Sequence, residues 1–380
     1  MQRRALKAWF LVHKWTSLVC TVFLLLLCLT GLPLIFAHEI AHATGAEPEV
    51  DAPAPGAQPM DLDALLRIAT AQQPGEQPLF LGWYPDEPLV YVNTGPTADT
   101  PPARMHTVVM HAYTGAIADV PQFNEGVMWL IYRLHTDVFA GLPGTLFLGL
   151  MTLLFAAAIV SGVVLYAPFM RKVPFGTVRT GRGRRLAWLD LHNMLGIVTL
   201  AWALVVGLTG AINTLATPLS QLWQASALAD LTDAIGARPR PTALGSLADA
   251  VALARAHAPG MAPAFVSFPG TGYSGDHHFG VFLLGDTPLT SRLYSAVLVD
   301  AETGAFAGMP RRPAYITALL VSQPLHFGDY GGLPLKIVWA LLDLLTIVIL
   351  VSGLVLWKRR GSTDTRLREL EAAQAAGTGA

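Results

Sequence analysis

Residues 9–31 read WFLVHKWTSLVCTVFLLLLCLTG, and residues 188–210 read WLDLHNMLGIVTLAWALVVGLTG. The first tryptophan, the first histidine and the closing Leu-Thr-Gly stand at the same places in both stretches, at an offset of 179 residues. Each stretch is long and apolar enough for a helix that crosses a bilayer, which takes ~20 apolar residues. The chain is therefore predicted to use one membrane helix twice, with His13 and His192 at the same depth.

A second motif, at residues 134–162, recurs at residues 325–353 with an offset of 191 residues. Both copies hold a Leu-His dipeptide, a Gly-Leu-Pro that begins an apolar run and a Ser-Gly within that run. His135 and His326 thus precede two further apolar segments. The repeats predict an internal duplication of a pair of membrane helices, with one histidine for each helix.

The composition is that of a membrane protein. Hydrophobic residues make up 53% of the 380 and charged residues 13%, about half the charged share of an average soluble protein. The apolar stretches predicted to span the membrane are Trp15–Ala37, Val138–Met170, Leu191–Ala229 and Ile337–Trp357. The net charge of −1 gives no indication of nucleic-acid binding, and the basic residues are expected to serve membrane topology and contacts with lipid.

Orientation follows from the excess of lysine and arginine in short cytoplasmic segments. Basic residues precede the first span and follow the fourth, and six more lie between the second and third: Arg171, Lys172, Arg179, Arg182, Arg184 and Arg185. The connection from His38 to Glu125 instead holds two basic residues against twelve acidic ones. Both termini and the 171–185 loop are therefore predicted to be cytoplasmic, and both long connections are predicted to lie on the outer side of the membrane.

These spans divide the chain into eight predicted segments. They are a first membrane helix (1–45), a periplasmic domain (46–122), an interfacial segment with the second membrane helix (123–172), a basic cytoplasmic loop (173–187), a third membrane helix (188–218), a second periplasmic domain (219–312), an interfacial segment with the fourth membrane helix (313–360) and a cytoplasmic tail (361–380). The predicted fold is a membrane α-helical bundle of four transmembrane helices with internal duplication and two periplasmic α+β domains.

Each predicted periplasmic domain has a short helical stretch, then alternating strand-like runs and a tight turn. In the second domain that turn is Asp300-Ala301-Glu302-Thr303-Gly304, and in the first His111 takes the place of the aspartate. A strand that leads into a D-x-x-T-G turn behind a short helix resembles the PepSY domain. The helix–domain–helix unit, used twice with histidines near the helix ends, resembles the PepSY-associated transmembrane family from about Trp9 to Arg360.

The resemblance implies an oxidoreductase, because members of that family are implicated in iron uptake as inner-membrane ferric-siderophore reductases of the ferrioxamine-reductase type, with two b-type haems. It implies a periplasmic ferric siderophore as electron acceptor, with iron released when Fe(III) becomes Fe(II). A G-x-G-x-x-G does follow a strand-like run at residues 270–275, but it leads into another strand-like run and not into a helix. No nicotinamide or flavin domain is therefore predicted, and the donor is expected to be a membrane quinol or a cytoplasmic reductase. No catalytic residue is predicted.

The depth of each histidine decides which of them could share a haem. His13 and His192 begin helices that run outward, so both lie at the cytoplasmic rim, whereas His135 and His326 precede helices that run inward and lie at the outer rim. Haem iron accepts neutral imidazole as an axial ligand. We therefore predict one haem b between the inner two histidines and a second between the outer two. A purely structural role at the membrane interface is the alternative for each.

Two further features leave choices open. His38 lies at the outer end of the first helix, where it would either replace an outer ligand or face the substrate. Asp343 lies inside the fourth span, where a bare carboxylate is costly, and Asn213 is a candidate partner for a carboxyl that either shares hydrogen bonds or moves protons. Cys20 and Cys28, about 12 Å apart along one helix, are predicted to be packing residues.

Two other classes of function fit a duplicated membrane chain. A transporter would place a substrate site between the repeats near mid-depth, whereas these histidines lie at the rims. A non-enzymatic sensor or regulator would bind peptide with its PepSY domains, and its histidines would be structural. A visible spectrum with the bands of bis-histidine haem would favour electron transfer over both.

Overall fold

The structure is a computed structural model, and it describes residues 3–46, 50–84, 87–120, 122, 124–170, 174–232, 238–287, 290–358, 368 and 372. Arg171 and Lys172, on which part of the predicted orientation rests, and nearly all of the predicted tail lie outside the described residues. The chain divides into two compact units. The helical unit comprises Met1–Phe36, Ile131–Leu215 and Ser322–Ala380, and the sheet unit comprises Ala37–Leu130 and Ala216–Val321.

The described residues form eleven α-helices. They are α1 (Arg3–Ile35), α2 (Ala37–Ala43), α3 (Leu62–Ala71), α4 (Gly126–Thr136), α5 (Gly141–Met170), α6 (Arg184–Asn213), α7 (Ala216–Trp223), α8 (Ala229–Thr232), α9 (Leu247–His257), α10 (Ala314–Phe327) and α11 (Gly332–Lys358). Within the described ranges, α1, α5, α6 and α11 are long and apolar enough to cross a membrane. Each of them covers most of one predicted span, except that the predicted stretch Leu191–Ala229, whose first half is the apolar part, continues beyond the end of α6 at Asn213.

The four long helices pack into a bundle in the helical unit. Helix α1 packs against α5 and α11, and α6 packs against the same two helices. The bundle interior includes the buried side chains of Cys20, Leu24, Met151 and Leu350. Outward-facing positions are apolar as well, since Val22 and Leu29 are 65% and 60% exposed. Helices that are apolar on every side are expected in lipid rather than in water.

The sheet unit is built on one antiparallel sheet. Its strands are β1 (Gln77–Trp83), β2 (Leu89–Gly95), β3 (His106–His111), β4 (Ile117–Ala118), β5 (Met261–Ser267), β6 (His278–Gly285), β7 (Ser295–Asp300) and β8 (Phe306–Gly308). Their order is β4-β3-β2-β1-β5-β6-β7-β8. At the centre β1 pairs with β5, with Leu81 opposite Val266. The strands of the two predicted periplasmic domains thus join into one sheet, which the sequence did not indicate.

One face of this sheet is covered by α3 and α9. Alternate strand positions point to the same face, and Leu81 and Val266 belong to the buried core that these helices complete. Asp63 of α3 accepts hydrogen bonds from Ser246 Oγ and from the Leu247 N–H at the start of α9, both at 2.7 Å. The helical layer is therefore shared between the two halves of the sheet.

The tight turns that suggested the PepSY resemblance have matching hydrogen bonds. Asp300 Oδ1 accepts from the backbone N–H groups two and three residues ahead, at 3.1 and 2.9 Å. His111 Nδ1 accepts from the equivalent two groups, at 3.1 and 3.3 Å. Gly115 and Gly304 close the turns at φ values of 70° and 71°, which favour glycine. An imidazole nitrogen thus replaces the carboxylate oxygen as the acceptor in the first turn.

Candidate functional site

His13 of α1 faces His192 of α6 in the helical unit, and we call them the first pair. Their ring centroids lie 6.3 Å apart, and the ring planes make an angle of 74°. His13 Nδ1 donates to the Ala158 carbonyl at 2.8 Å, and Ser161 Oγ lies 3.3 Å from the same nitrogen. Because a carbonyl can only accept, Nδ1 carries the proton, and Nε2 is the lone-pair nitrogen of the neutral ring.

His192 has the same arrangement with α11. Its Nδ1 lies 2.8 Å from Ser352 Oγ and 3.2 Å from the Ile349 carbonyl. The Ser352 hydroxyl donates to the Ile349 carbonyl at 2.7 Å, so its oxygen accepts from the imidazole. Both acceptors stand 191 residues after those of His13.

His135 of α4 faces His326 of α10, and we call them the second pair. Their ring centroids lie 6.2 Å apart with the planes at 56°. His135 Nδ1 lies 2.9 Å from Thr30 Oγ1 of α1, a hydroxyl that itself donates to the Leu26 carbonyl at 2.7 Å. His326 Nδ1 donates to the Val206 carbonyl of α6 at 2.9 Å. In both pairs, therefore, Nδ1 is the donor and Nε2 the lone-pair nitrogen.

The second pair lies on α4 and α10, outside the four long helices. Burial, and then the neighbouring His326, lower the pKa of His135 to about 3. Burial lowers the pKa of His326 as well. Both rings are therefore neutral at physiological pH, which is the form that binds a metal ion.

A glycine on a neighbouring helix lies against each of the four rings. The pairs, with the distance from a Cβ built on the glycine to Cε1 of the ring, are Gly162 with His13 (3.1 Å), Gly31 with His135 (3.2 Å), Gly210 with His326 (3.0 Å) and Gly353 with His192 (3.7 Å). The first three distances are shorter than the optimum for two carbon atoms, about 3.5–4.0 Å. The absence of a side chain at these glycines is what lets the rings approach the helix backbone.

The first pair lines a cavity of about 280 Å³ in the helical unit. Most of the cavity wall is apolar, and Lys14, Arg185 and Asn193 are among the polar residues that line it. Gly162 and Gly353 line it too. An apolar cavity with a few polar groups is the usual form of a cofactor site.

Both pairs fit a cofactor whose metal takes two axial ligands. A metal ion bound by two imidazole nitrogens at about 2 Å places the ring centroids about 6 Å apart, and the observed separations are 6.3 and 6.2 Å. Metal-binding histidines generally donate their other ring N–H to a carbonyl, carboxylate or water, and every Nδ1 here has such an acceptor. Haem is the common cofactor with this ligand geometry in helical bundles.

The other residues singled out in the sequence lie elsewhere. His38 is exposed on α2 and belongs to the sheet unit, and its ligation of iron stays a prediction. Asp343 is buried in α11 and forms a side-chain hydrogen bond with Cys28. Asn213, the candidate partner of that carboxyl, instead accepts a hydrogen bond from Ser322 Oγ.

The model of one protein family, the PepSY-associated TM region, matches residues 10–360. The chain belongs to this family. An uncharacterized protein of Pseudomonas aeruginosa is 29% identical over 271 residues, which cover 64% of this chain and 66% of the relative. The chain thus aligns with slightly less than two thirds of that relative. The predicted family is confirmed, and the four long helices are those of a membrane protein.

Sequence reasoning missed the acceptors that orient the histidines of this PepSY-associated TM protein. Thr30 and Ser352 are hydroxyl residues that directly precede a repeated glycine, as is Ser161. That hydroxyl–glycine dipeptide is the signal that could have identified them. The structure places imidazole rings against these repeated glycines.

Proposed function

We propose that this PepSY-associated TM protein is an inner-membrane di-haem b oxidoreductase that carries single electrons from the cytoplasmic side to a periplasmic ferric siderophore, reducing Fe(III) to Fe(II). One observation carries the proposal: four imidazoles face each other two by two, with ring centroids 6.3 Å apart in the first pair and 6.2 Å apart in the second. Every Nδ1 is directed to an acceptor. Histidines that only pack, or only anchor a helix in the interface, need no second imidazole at this spacing.

The two pairs lie toward opposite ends of α1. His13 and Gly31 are 18 residues apart in the sequence, about 27 Å of helix rise, and Gly31 lies against the ring of His135. The basic residues of the N-terminus and of segment 173–187 favour the cytoplasm for the end with His13. The end with His135 then faces the periplasm, and the proposed electron path crosses the membrane core.

The contacts of the two halves also correspond. Ala158 and Ser161, the acceptors of His13, are related by the 191-residue offset to Ile349 and Ser352, the acceptors of His192. This correspondence supports the proposed internal duplication, in which each haem would be held by one histidine from each half.

Haem at each pair would supply reversible one-electron chemistry. The chain's own part is to hold the rings and tune them. The four Nε2 atoms are the proposed ligands, and the Nδ1–H bonds fix the ring orientation and raise the basicity of Nε2. The glycine contacts let the rings lie against the helix backbone.

The acceptor is proposed from the family resemblance together with the proposed topology. The sheet unit would lie in the periplasm, where iron chelates arrive before import. Hard oxygen donors hold Fe(III) more tightly than Fe(II), so reduction weakens the chelate and speeds its exchange. The proposed donor is a membrane quinol or a cytoplasmic reductase.

The visible spectrum of the purified protein tests for haem. Bands of bis-histidine haem b, with two haems per chain, are expected. His192→Ala should remove about half of the haem and leave the spectrum of the second site, and His135→Ala should do the converse. His257→Ala, at an exposed position in the sheet unit, is the control. A purified protein without haem bands would overturn the proposal and favour one of the two other functions, a transporter or a non-enzymatic sensor.

The role of His38 is tested in the same series. If His38→Ala removes the second haem while His135→Ala does not, the ligand pairing is wrong but the path across the membrane remains. If His13→Ala and His192→Ala each keep the full haem complement, the first site is wrong.

Electron transfer to the acceptor is tested by reoxidation. Dithionite-reduced protein should be reoxidised by a ferrioxamine-type complex, with an Fe(II) trap present to detect the product. His135→Ala should lose this transfer, whereas His192→Ala, reduced chemically and so bypassing the first site, should keep much of it. The opposite pattern would mean that substrate meets the cytoplasmic face, and the proposed direction would have to be abandoned.

A further inference from the structure

One buried acid of the helical unit has no part in the histidine sites. Asp343 of α11 is 7% exposed, and its Oδ2 has no hydrogen-bond partner among the described residues. Asp190 of α6 is buried to a similar degree, but Arg179 pairs with it at 2.6 Å. The side-chain partner of Asp343 is the thiol of Cys28, which brings no positive charge.

The neighbouring helices bring few other titratable groups to this carboxyl. Helices α1 and α6 pack against α11. Within its apolar run α1 carries Cys20 and Cys28, and after His192 the α6 sequence has no acidic, basic, tyrosine or cysteine residue. Lys336 stands seven residues earlier on α11, about two turns away. A lone carboxylate in such a place is costly unless a proton or a compensating positive charge accompanies it.

Cys28 places Asp343 near the second pair. Cys28 stands three residues before Gly31 on α1, a rise of about 4.5 Å, and Gly31 lies against the ring of His135. Gly353, which marks the first pair, is ten residues beyond Asp343 on α11, a rise of about 15 Å. The carboxyl is therefore placed to respond to a change of charge at the second pair.

We propose that Asp343 takes up one proton when the second site gains an electron and releases it when that electron passes to the acceptor. This inference rests on the proposed function. The electron arrives from the first site and leaves to Fe(III). The proton comes from water and returns to water. Each step therefore adds or removes one electron together with one proton. Cys28 is a positioning residue that holds the carboxyl through its thiol.

The physical basis is linkage in a medium of low dielectric constant. An added electron and an added proton stabilise each other there more strongly than in water. The electron affinity of the second site then depends on pH wherever Asp343 changes its protonation. The first site, farther along the bundle, should respond much less.

The midpoint potentials of the two haems, measured against pH on the purified full chain, test this. In the wild type the potential of the second site should fall with rising pH, and the slope should approach a tenfold change in the equilibrium constant per pH unit, about 59 mV for one electron. Asp343→Asn should remove the slope and Asp343→Glu should keep it. Ser322→Ala, which alters a buried and non-titrating side chain of α10, is the control and should keep the slope.

A redox-difference infrared spectrum gives a second readout. Reduction should produce a carboxylic-acid C=O band in the wild type and in Ser322→Ala but not in Asp343→Asn. The inference fails if both wild-type potentials are independent of pH, if Asp343→Asn keeps the slope, or if the band is missing from the wild type, and none of these results affects the haem spectra. Missing haem bands would instead overturn the proposed function, and this inference with it.

Discussion

Two glycines at equivalent places should respond differently to the same substitution. A Cβ at Gly162 would lie 3.1 Å from Cε1 and 3.4 Å from Nδ1 of His13, whereas a Cβ at Gly353 would lie 3.7 Å from Cε1 of His192. The His13 ring cannot retreat without loss, because its Nδ1 donates to the Ala158 carbonyl at 2.8 Å. We therefore expect Gly162→Ala to disturb the first pair and Gly353→Ala to leave it in place.

The expected difference in stability between the two variants follows from how far the added methyl group overlaps the imidazole ring. The optimum for two carbon atoms is about 3.5–4.0 Å, so the methyl group of Gly162→Ala overlaps the ring and that of Gly353→Ala does not. Overpacking of this kind costs about 1–3 kcal/mol. Replacing glycine in a helix gains about 1 kcal/mol from helix propensity, but both variants share that gain and it cancels in the comparison.

The assay is thermal unfolding of both purified variants in detergent, with haem content measured on the same samples. Gly162→Ala should be less stable than Gly353→Ala by about 1–3 kcal/mol, and its affinity for the proposed cofactor should be lower by about 5- to 150-fold. Equal stability of the two variants would refute the reasoning, because their helix contexts are equivalent and the clearance to the imidazole is the difference between them.

Three further predictions concern the sheet unit. His111→Ala removes the acceptor of two backbone hydrogen bonds and should destabilise the turn by about 1–2 kcal/mol, seen as faster hydrogen exchange there, while His111→Asp should restore protection. Burial opposes the ionisation of Asp300, but hydrogen bonds from its turn and from Arg238 prevail and lower its pKa to about 2. Because the pKa of Asp300 is lowered, its ionised carboxylate stabilises the fold above the unfolded value of about 3.9, and this stability is lost as pH falls through 2. The free energy of unfolding of Asp300→Asn should therefore depend less on pH in this acid range, as followed by near-ultraviolet circular dichroism. Burial, and then the neighbouring Tyr294 and Tyr84, raise the pKa of Tyr91 to about 12, and a Cβ at Gly82 would lie 2.3 Å from its ring. Gly82→Ala should expel that ring and bring its tyrosinate absorbance titration down toward 10, and an unchanged titration would contradict the packing.

The histidine grouping shows how far depth can be predicted from a sequence. Apolar runs of bilayer length place the spans and basic residues predict their orientation, so the predicted depths of His13 and His192 follow from local properties. The structure brings together the histidines predicted to share a depth. It also shows their acceptors, which depend on how each helix is rotated about its axis. In a helix that is apolar on every side, such as α5, the sequence has little alternation of polar and apolar residues from which that rotation could be predicted.

The same limit applies to Asp343. Its burial in a span was evident from the sequence, but the choice of Cys28 over Asn213 as partner depends on which neighbour of α11 presents a polar side chain at that depth. Cys28 was interpreted as a packing residue because a thiol in an apolar run usually is one. The contact with a carboxyl is a property of the packed bundle.

The sequence by itself determined the membrane class, the four spans, the repeated histidines and the strand-forming runs, because each depends on composition or periodicity within one segment. The tertiary structure alone decided that β1 pairs with β5, that glycines receive the imidazole rings and that His111 serves as the acceptor in its turn. These are contacts set by three-dimensional geometry. Many strands could pair with a free strand edge, many side chains could fill the space beside a glycine, and many groups could hydrogen-bond with an imidazole nitrogen. Only the folded chain selects one partner for each.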